Sequence, residues 1–166
     1  MIITISYEYY FSIMMVHTIT MKWHDHCQYM EIVREYSVSD LARFHGHLGP
    51  YIVLGYRIGK YALKELGGDP FSMTSEVYCS GVTPQSCLAD GVQLGSGCTL
   101  GKGNIGLIRS DTISCIFSAG EKRIRCTPLP LKPLNQQDPD YELSIERYAE
   151  SLYELPDEEL FRVDCL

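Results

Sequence analysis

Apolar and polar positions recur along this chain with periods that assign an element to most stretches. Ile52, Tyr56, Gly59, Leu63 and Leu66 fall at helical spacing behind Pro50, a residue suited to a first turn because its missing N–H is not needed there. Gly67-Gly68 supplies the stop. An earlier helix is predicted to begin near Ser39, with Ser39 and Asp40 capping Leu41, Ala42 and Phe44, and to break within His45-Gly46-His47-Leu48-Gly49-Pro50. Phe71, Met73, Ser75, Val77 and Cys79 alternate as a strand. Thr83-Pro84 reads as the start of a helix running to about Gly95, with Leu88 and Val92 as its apolar stripe. Gly95, Gly97, Gly101 and Gly103 then make a sharply turning loop. Strands follow at about 104–109, 112–118 and 123–129, the last two joined through Ala119-Gly120-Glu121-Lys122. Pro128, Pro130, Pro133 and Pro139 keep the next connection extended over the surface. A charged helix over 141–154, one further turn from Pro156-Asp157, and a last strand from Phe161 to Leu166 complete the pattern. The fold class is α+β, helices packed on a mostly antiparallel or mixed sheet.

The first 30 residues stand apart from this core, which occupies 31–166 and includes the acidic C-terminal helical region. Ile3, Ile5, Tyr7, Tyr9, Phe11 and Ile13 alternate with Thr4, Ser6, Glu8 and Ser12, so the segment reads as a strand or a loosely held extension. With its first basic residue at Lys22, it matches neither a secretory signal nor a spanning helix. Met21 or Met30 would serve as a natural start, and an edge strand here would complete a partner's sheet.

A chain of 166 residues with 45 % apolar and 21 % charged residues builds a core without disulfides. Seven cysteines with no CxxC pair fit free thiols in a reducing cytoplasm. The net charge is −7, and from Asp138 onward ten Asp and Glu face two Arg. With no basic stripe, nucleic-acid binding is excluded, no membrane association is expected, and the acidic tail reads as a solvated helical face.

Three elements concentrate chemistry. In a continuous helix His45 and His47 would point about 200° apart, whereas a broken backbone puts both on one side. They are then candidate metal ligands, or else two rings stabilising a helix end. Cys87 lies in the first turns of its helix, where partial positive charge favours a thiolate able to bind metal or attack carbon. The commonest fate of a free cysteine is instead that of a small buried hydrophobe. Asp90, one turn on, is placed to touch Cys87 or a histidine. The stretch Gly97-Cys98-Thr99-Leu100-Gly101-Lys102-Gly103-Asn104 is not a Walker A loop, because Gly95 to Gly101 has five intervening residues and Gly97 to Gly101 three, where four are required. It reads as a tight connection, or as a loop aiming backbone N–H groups and Lys102 at an anionic ligand. Cys79, Cys115 and Cys126 are strand residues expected in the core. Cys27 beside His24 and His26 forms a further small cluster.

Taken in series, Phe44-His45-Gly46-His47-Leu48-Gly49-Pro50, Gly55-Tyr56-Arg57, Cys87-Leu88-Ala89-Asp90-Gly91-Val92-Gln93 and Gly97-Cys98-Thr99-Leu100-Gly101-Lys102-Gly103-Asn104 resemble the FmdE-like family, named for a component of formylmethanofuran dehydrogenase. The resemblance spans about residues 37–128 and continues more weakly through Leu155–Phe161. It implies an α+β core, commonly a homodimer, with a cleft where the His-Gly-His segment meets the two cysteine motifs. It further implies a transition metal, most readily zinc, with iron or nickel as alternatives, held by at least two of His45, His47, Cys87 and Cys98. Cys87, Asp90 and Lys102 become the candidate catalytic groups, and Thr99, Gly101 and Asn104 the candidate cofactor-binding positions, for a small molecule in the cleft. Two departures stand out: Gly49 replaces a frequent cysteine, and no cysteine-rich zinc finger follows the core. The implied role is an accessory subunit or small metal-dependent enzyme of microbial one-carbon metabolism. The alternative is a metallochaperone or assembly protein for a molybdenum or tungsten enzyme.

Overall fold

A computed structural model describes residues 35–67 and 69–166. The expected N-terminal extension, with the Cys27 cluster, lies outside the described residues. Helix α1, Val38–His45, starts slightly earlier than Ser39 implies. Ser37 is the cap: its hydroxyl accepts from Asp40 N, and the Asp40 carboxylate accepts from Ser37 N at 3.0 Å, a reciprocal box that serves two orphan donors. The helix stops at Gly46, whose φ of 94° turns the chain out of the helix while its N–H still bonds Ala42 O. Helix α2, Pro50–Glu65, begins as the sequence predicts, with Pro50 inside its first turn.

Strand β1, Met73–Cys79, starts two residues after Phe71, because an Asp69 side chain turns the backbone at Phe71 N. Helix α3, Cys87–Ser96, corrects the start read at Thr83-Pro84. Residues 82–86 instead form tight turns, with Ser86 N bonded to Val82 O and Cys87 N to Pro84 O, so the regular helix opens at Cys87 itself. A single 3-10 turn at Leu100–Lys102 leads into β2, Ile105–Arg109. Strands β3, Ser114–Ala119, and β4, Lys122–Pro128, form the expected hairpin around Gly120 at φ 58°. The extended proline-rich connection precedes α4, Tyr141–Glu154, then α5, Asp157–Leu160, and β5, Phe161–Cys165.

Among the described residues the fold is α+β: five helices and a five-stranded mixed sheet in the order β2-β1-β3-β4-β5, in which β1 and β2 are parallel and every other pairing is antiparallel. Register aligns Val77 with Cys115 and Cys115 with Cys126, so one row of the sheet presents small apolar groups to the core. Cys79, Cys115 and Cys126 are fully buried there, and burial pushes the Cys126 thiol up to about 12. Arg57 of α2 binds the far side of the molecule together, donating to Tyr153 O at 2.6 Å and to Asp157 at 2.7 Å. Tyr56 stacks on Tyr153, and the Tyr56 hydroxyl accepts from Tyr36 N, which accounts for the Tyr56-Arg57 pair in the motif. Among the described residues no helix is long and apolar enough to cross a membrane.

The tightest packing lies between α2 and α3. A Cβ placed on Gly91 would sit 2.0 Å from Ile52 O, one on Gly55 2.1 Å from Leu88 O, and one on Gly95 2.1 Å from Tyr56 O. The two helix backbones touch through these glycines, closer than side chains permit. Gly91→Ala is therefore expected to cost about 3 kcal/mol or more in urea denaturation, or to prevent folding. Gly101→Ala, whose Cβ meets nothing within 4 Å, is expected to change stability by less than about 0.5 kcal/mol. Equal stability of the two variants would show that the helices can part freely.

Candidate functional site

The glycine contact sets the end of α1 against the start of α3. There His45 Nδ1 lies 2.8 Å from the Asp90 carboxylate. A carboxylate accepts, so the ring donates from Nδ1, and Nε2 of the neutral tautomer carries the lone pair. That Nε2 is buried and has no hydrogen-bond partner, and the His45 side chain as a whole is only 10 % exposed. A buried ring nitrogen without a partner costs free energy unless something binds it. Asp90 is itself held: Gln93 Nε2 stands 3.5 Å from its second oxygen, and Gln93 Oε1 accepts from Leu100 N. A chain of polar contacts thus runs from the glycine loop through Gln93 and Asp90 to His45.

His47 follows His45 past the left-handed Gly46, and the two rings lie 4.7 Å apart between centroids at 40°. The broken backbone does bring both imidazoles to one side, His45 partly buried and His47 exposed. Cys87 adjoins both. It lines a cleft of about 410 Å³ with His45, Asp90 and Gln93, and also a groove of about 290 Å³ with His47. Among the described residues no three His, Cys, Asp or Glu side chains already converge on a single point.

The thiolate expected at Cys87 is not favoured. Burial raises the thiol first and the neighbouring Asp90 carboxylate raises it further, against a smaller lowering from the backbone. Helix-end charge loses because Cys87 N is already bonded to Pro84 O and the sulfur is partly withdrawn from water.

The glycine loop does not join the site as read. Cys98, expected at the cleft, is fully buried in the core, and its Sγ donates to Met73 O at 3.4 Å. Thr99 Oγ1 accepts from Lys102 N, and Thr99 N donates to Asn104 Oδ1. Asn104 spends its amide on Pro70 O and Met73 O. Lys102 bonds Pro70 O and stands 4.5 Å over the Phe71 ring, and Gly101 faces open space. These groups fasten the loop to the start of β1. Leu100 is the loop residue that reaches the cleft.

Against protein-family models, residues 44–162 match the one described as FmdE, molybdenum formylmethanofuran dehydrogenase operon. The chain belongs to the FmdE family. A stretch of 64 residues is also 41 % identical to a protein of Archaeoglobus fulgidus named a probable S-adenosyl-L-methionine-binding protein, covering 37 % of this chain and 18 % of that one. The chain thus spans less than a fifth of that relative's length.

Within this FmdE domain, Gln93 is the site residue that sequence reading leaves without a role, although its place three residues after Asp90 puts both on one helix face. Gly49 matters by what it lacks: a Cβ there would lie 3.3 Å from His47 Nε2. In metal-free protein, the pH of half-maximal alkylation of Cys87 by iodoacetamide is expected above that of an ordinary thiol. Asp90→Asn removes the carboxylate and lowers it. Peptide mass spectrometry across a pH series reads both, and an unchanged midpoint in the variant would refute the electrostatic contribution.

Proposed function

We propose that this FmdE-family protein binds one transition-metal ion through His45, His47 and Cys87, with Asp90 orienting His45. On this reading it serves microbial one-carbon, formylmethanofuran-related metabolism as an accessory subunit or a small metal-dependent enzyme. The observation that carries the reading is the buried, unpartnered Nε2 of His45 backed at Nδ1 by a carboxylate. Ligating histidines are held in this way, because the carboxylate fixes the tautomer and raises the basicity of the bare nitrogen. Two imidazoles and one sulfur suit Zn²⁺, with iron or nickel as the competing occupants. The ion would supply Lewis acidity and a bound water with a pKa brought towards about 7. His45 is the fixed donor. The exposed His47 ring turns about its side-chain bonds to complete the set, and Cys87 loses its proton on binding.

Protein purified without a metal-affinity tag is expected to retain about one ion per chain, read by inductively coupled plasma mass spectrometry. His45→Ala should abolish retention, and Asp90→Ala should weaken affinity by about 10–100-fold in competition with a chelator. Gly49→Cys adds a thiol beside His47 and should tighten binding. Wild-type protein that neither retains an ion nor takes up Zn²⁺ or Fe²⁺ would overturn the proposal.

A second reading rests on the name of the Archaeoglobus relative, which makes S-adenosyl-L-methionine the first small molecule to titrate into the clefts beside Cys87. Calorimetric titration of the full chain tests it.

A further inference from the structure

The groove on the second side of Cys87 has a chemistry of its own. It runs between the start of α2, the proline-rich connection and α4, and its walls include Tyr51, Tyr141, Tyr148 and Pro84 beside Lys132, with Cys87 and His47 at one end. Three features bear on what fits. The walls combine three phenol rings and several prolines with the aliphatic Leu131, Leu134 and Ile145, a weakly polar lining that favours planar aromatic molecules. Tyr148 is tied to the proline-rich connection, because its hydroxyl accepts from the Lys132 backbone N–H at 2.8 Å, which sets the base of the Lys132 side chain beside the ring. The lining contains no Asp or Glu, in a chain that carries 21 of them. With Lys132 as the lysine in its lining and no acid, the groove is complementary to negative charge, whereas the chain as a whole carries −7.

We propose that this groove is the binding site for a small planar aromatic or heteroaromatic anion, its rings between the tyrosines and its charged group at Lys132. At about 290 Å³ the space admits one ring or two fused rings with one charged substituent, and it excludes a dinucleotide. An aromatic cation would also be drawn to tyrosine faces, but it would meet Lys132 with no carboxylate to offset the repulsion. The occupant ends against Cys87 and His47, so it shares residues with the metal reading and names the ligand class for that site. The groove itself needs no ion, and the two ideas fail separately.

The test uses the full chain treated with chelator, 2-naphthoate as the anionic probe and 2-naphthylmethylammonium as its charge-reversed partner. Alkylation of Cys87 by iodoacetamide is followed by peptide mass spectrometry, with exposed Cys165 as the internal control. Fragments of this size bind in about the millimolar range, so probes are used at a few times that concentration. Naphthoate is expected to slow Cys87 alkylation several-fold and leave Cys165 unchanged, while the ammonium probe gives no protection. Lys132→Glu should remove the protection and Lys132→Arg should keep it. Equal protection by both probes, protection by neither, or protection that survives Lys132→Glu would each overturn the proposal. Zn²⁺ added alone to the Lys132→Glu protein, after the chelator is removed, reports on the metal reading: failure of the ion to slow Cys87 alkylation sinks that reading and leaves the groove assignment standing.

Discussion

Everything near the cleft depends on two helices whose backbones are in direct contact. Gly55 and Gly59 on α2 meet Leu88 O, Val92 and Ser96 N on α3, and Gly91 and Gly95 return the contact against Ile52 O and Tyr56 O. Each interior glycine carries an intrinsic helix penalty of roughly 1 kcal/mol relative to alanine, so four of them weaken both helices on their own. Close apposition offsets that through dispersion between backbones and through the burial of Ile52, Leu88 and Val92 around the seam. The arrangement also sets the chemistry, because Asp90 precedes Gly91 and Cys87 lies one turn earlier. Asp90 is carried by α3 and His45 by the end of α1, with four residues between it and α2, so the seam sets the spacing across which the two meet.

Much of the scaffold is legible in the chain because it rests on local signals. Pro50 after Gly49, the alternation from Met73 to Cys79, the Gly120 turn and the Pro156-Asp157 break each act within a few residues, and each appears where its pattern puts it. Two helix starts differ from the pattern where local signals compete. Ser37 and Ser39 are both hydroxyl residues just ahead of Leu41, and the reciprocal bond to Asp40 selects Ser37. Thr83-Pro84 has the chemistry of a helix start, yet the chain turns tightly through Ser86 first.

The site is legible only in part, for a different reason. That His45, His47, Cys87 and Asp90 meet follows from a broken helix end facing a helix start, and the motif order carries that information. Whether a cysteine in a glycine loop points outward or inward does not follow from spacing: Cys98 goes into the core because Ser96 Oγ accepts from its N–H and Met73 O receives its thiol. The polar groups of that loop serve the loop, as Asn104 shows by bridging Pro70 and Met73. The tyrosines of the groove come from segments about ninety residues apart, and no local pattern joins Tyr51 to Tyr141 and Tyr148.

The left-handed Gly46 divides two chemically identical rings into unlike partners. One is mostly withdrawn from water and braced from behind by Asp90; the other is exposed to water beside it. For an ion held between them, the braced ring would govern the equilibrium occupancy, and the solvated one would govern residence time, since detachment can begin at the outer donor while the inner bond persists. Stepwise release of this kind makes exchange with a competing chelator faster than the overall affinity alone would suggest.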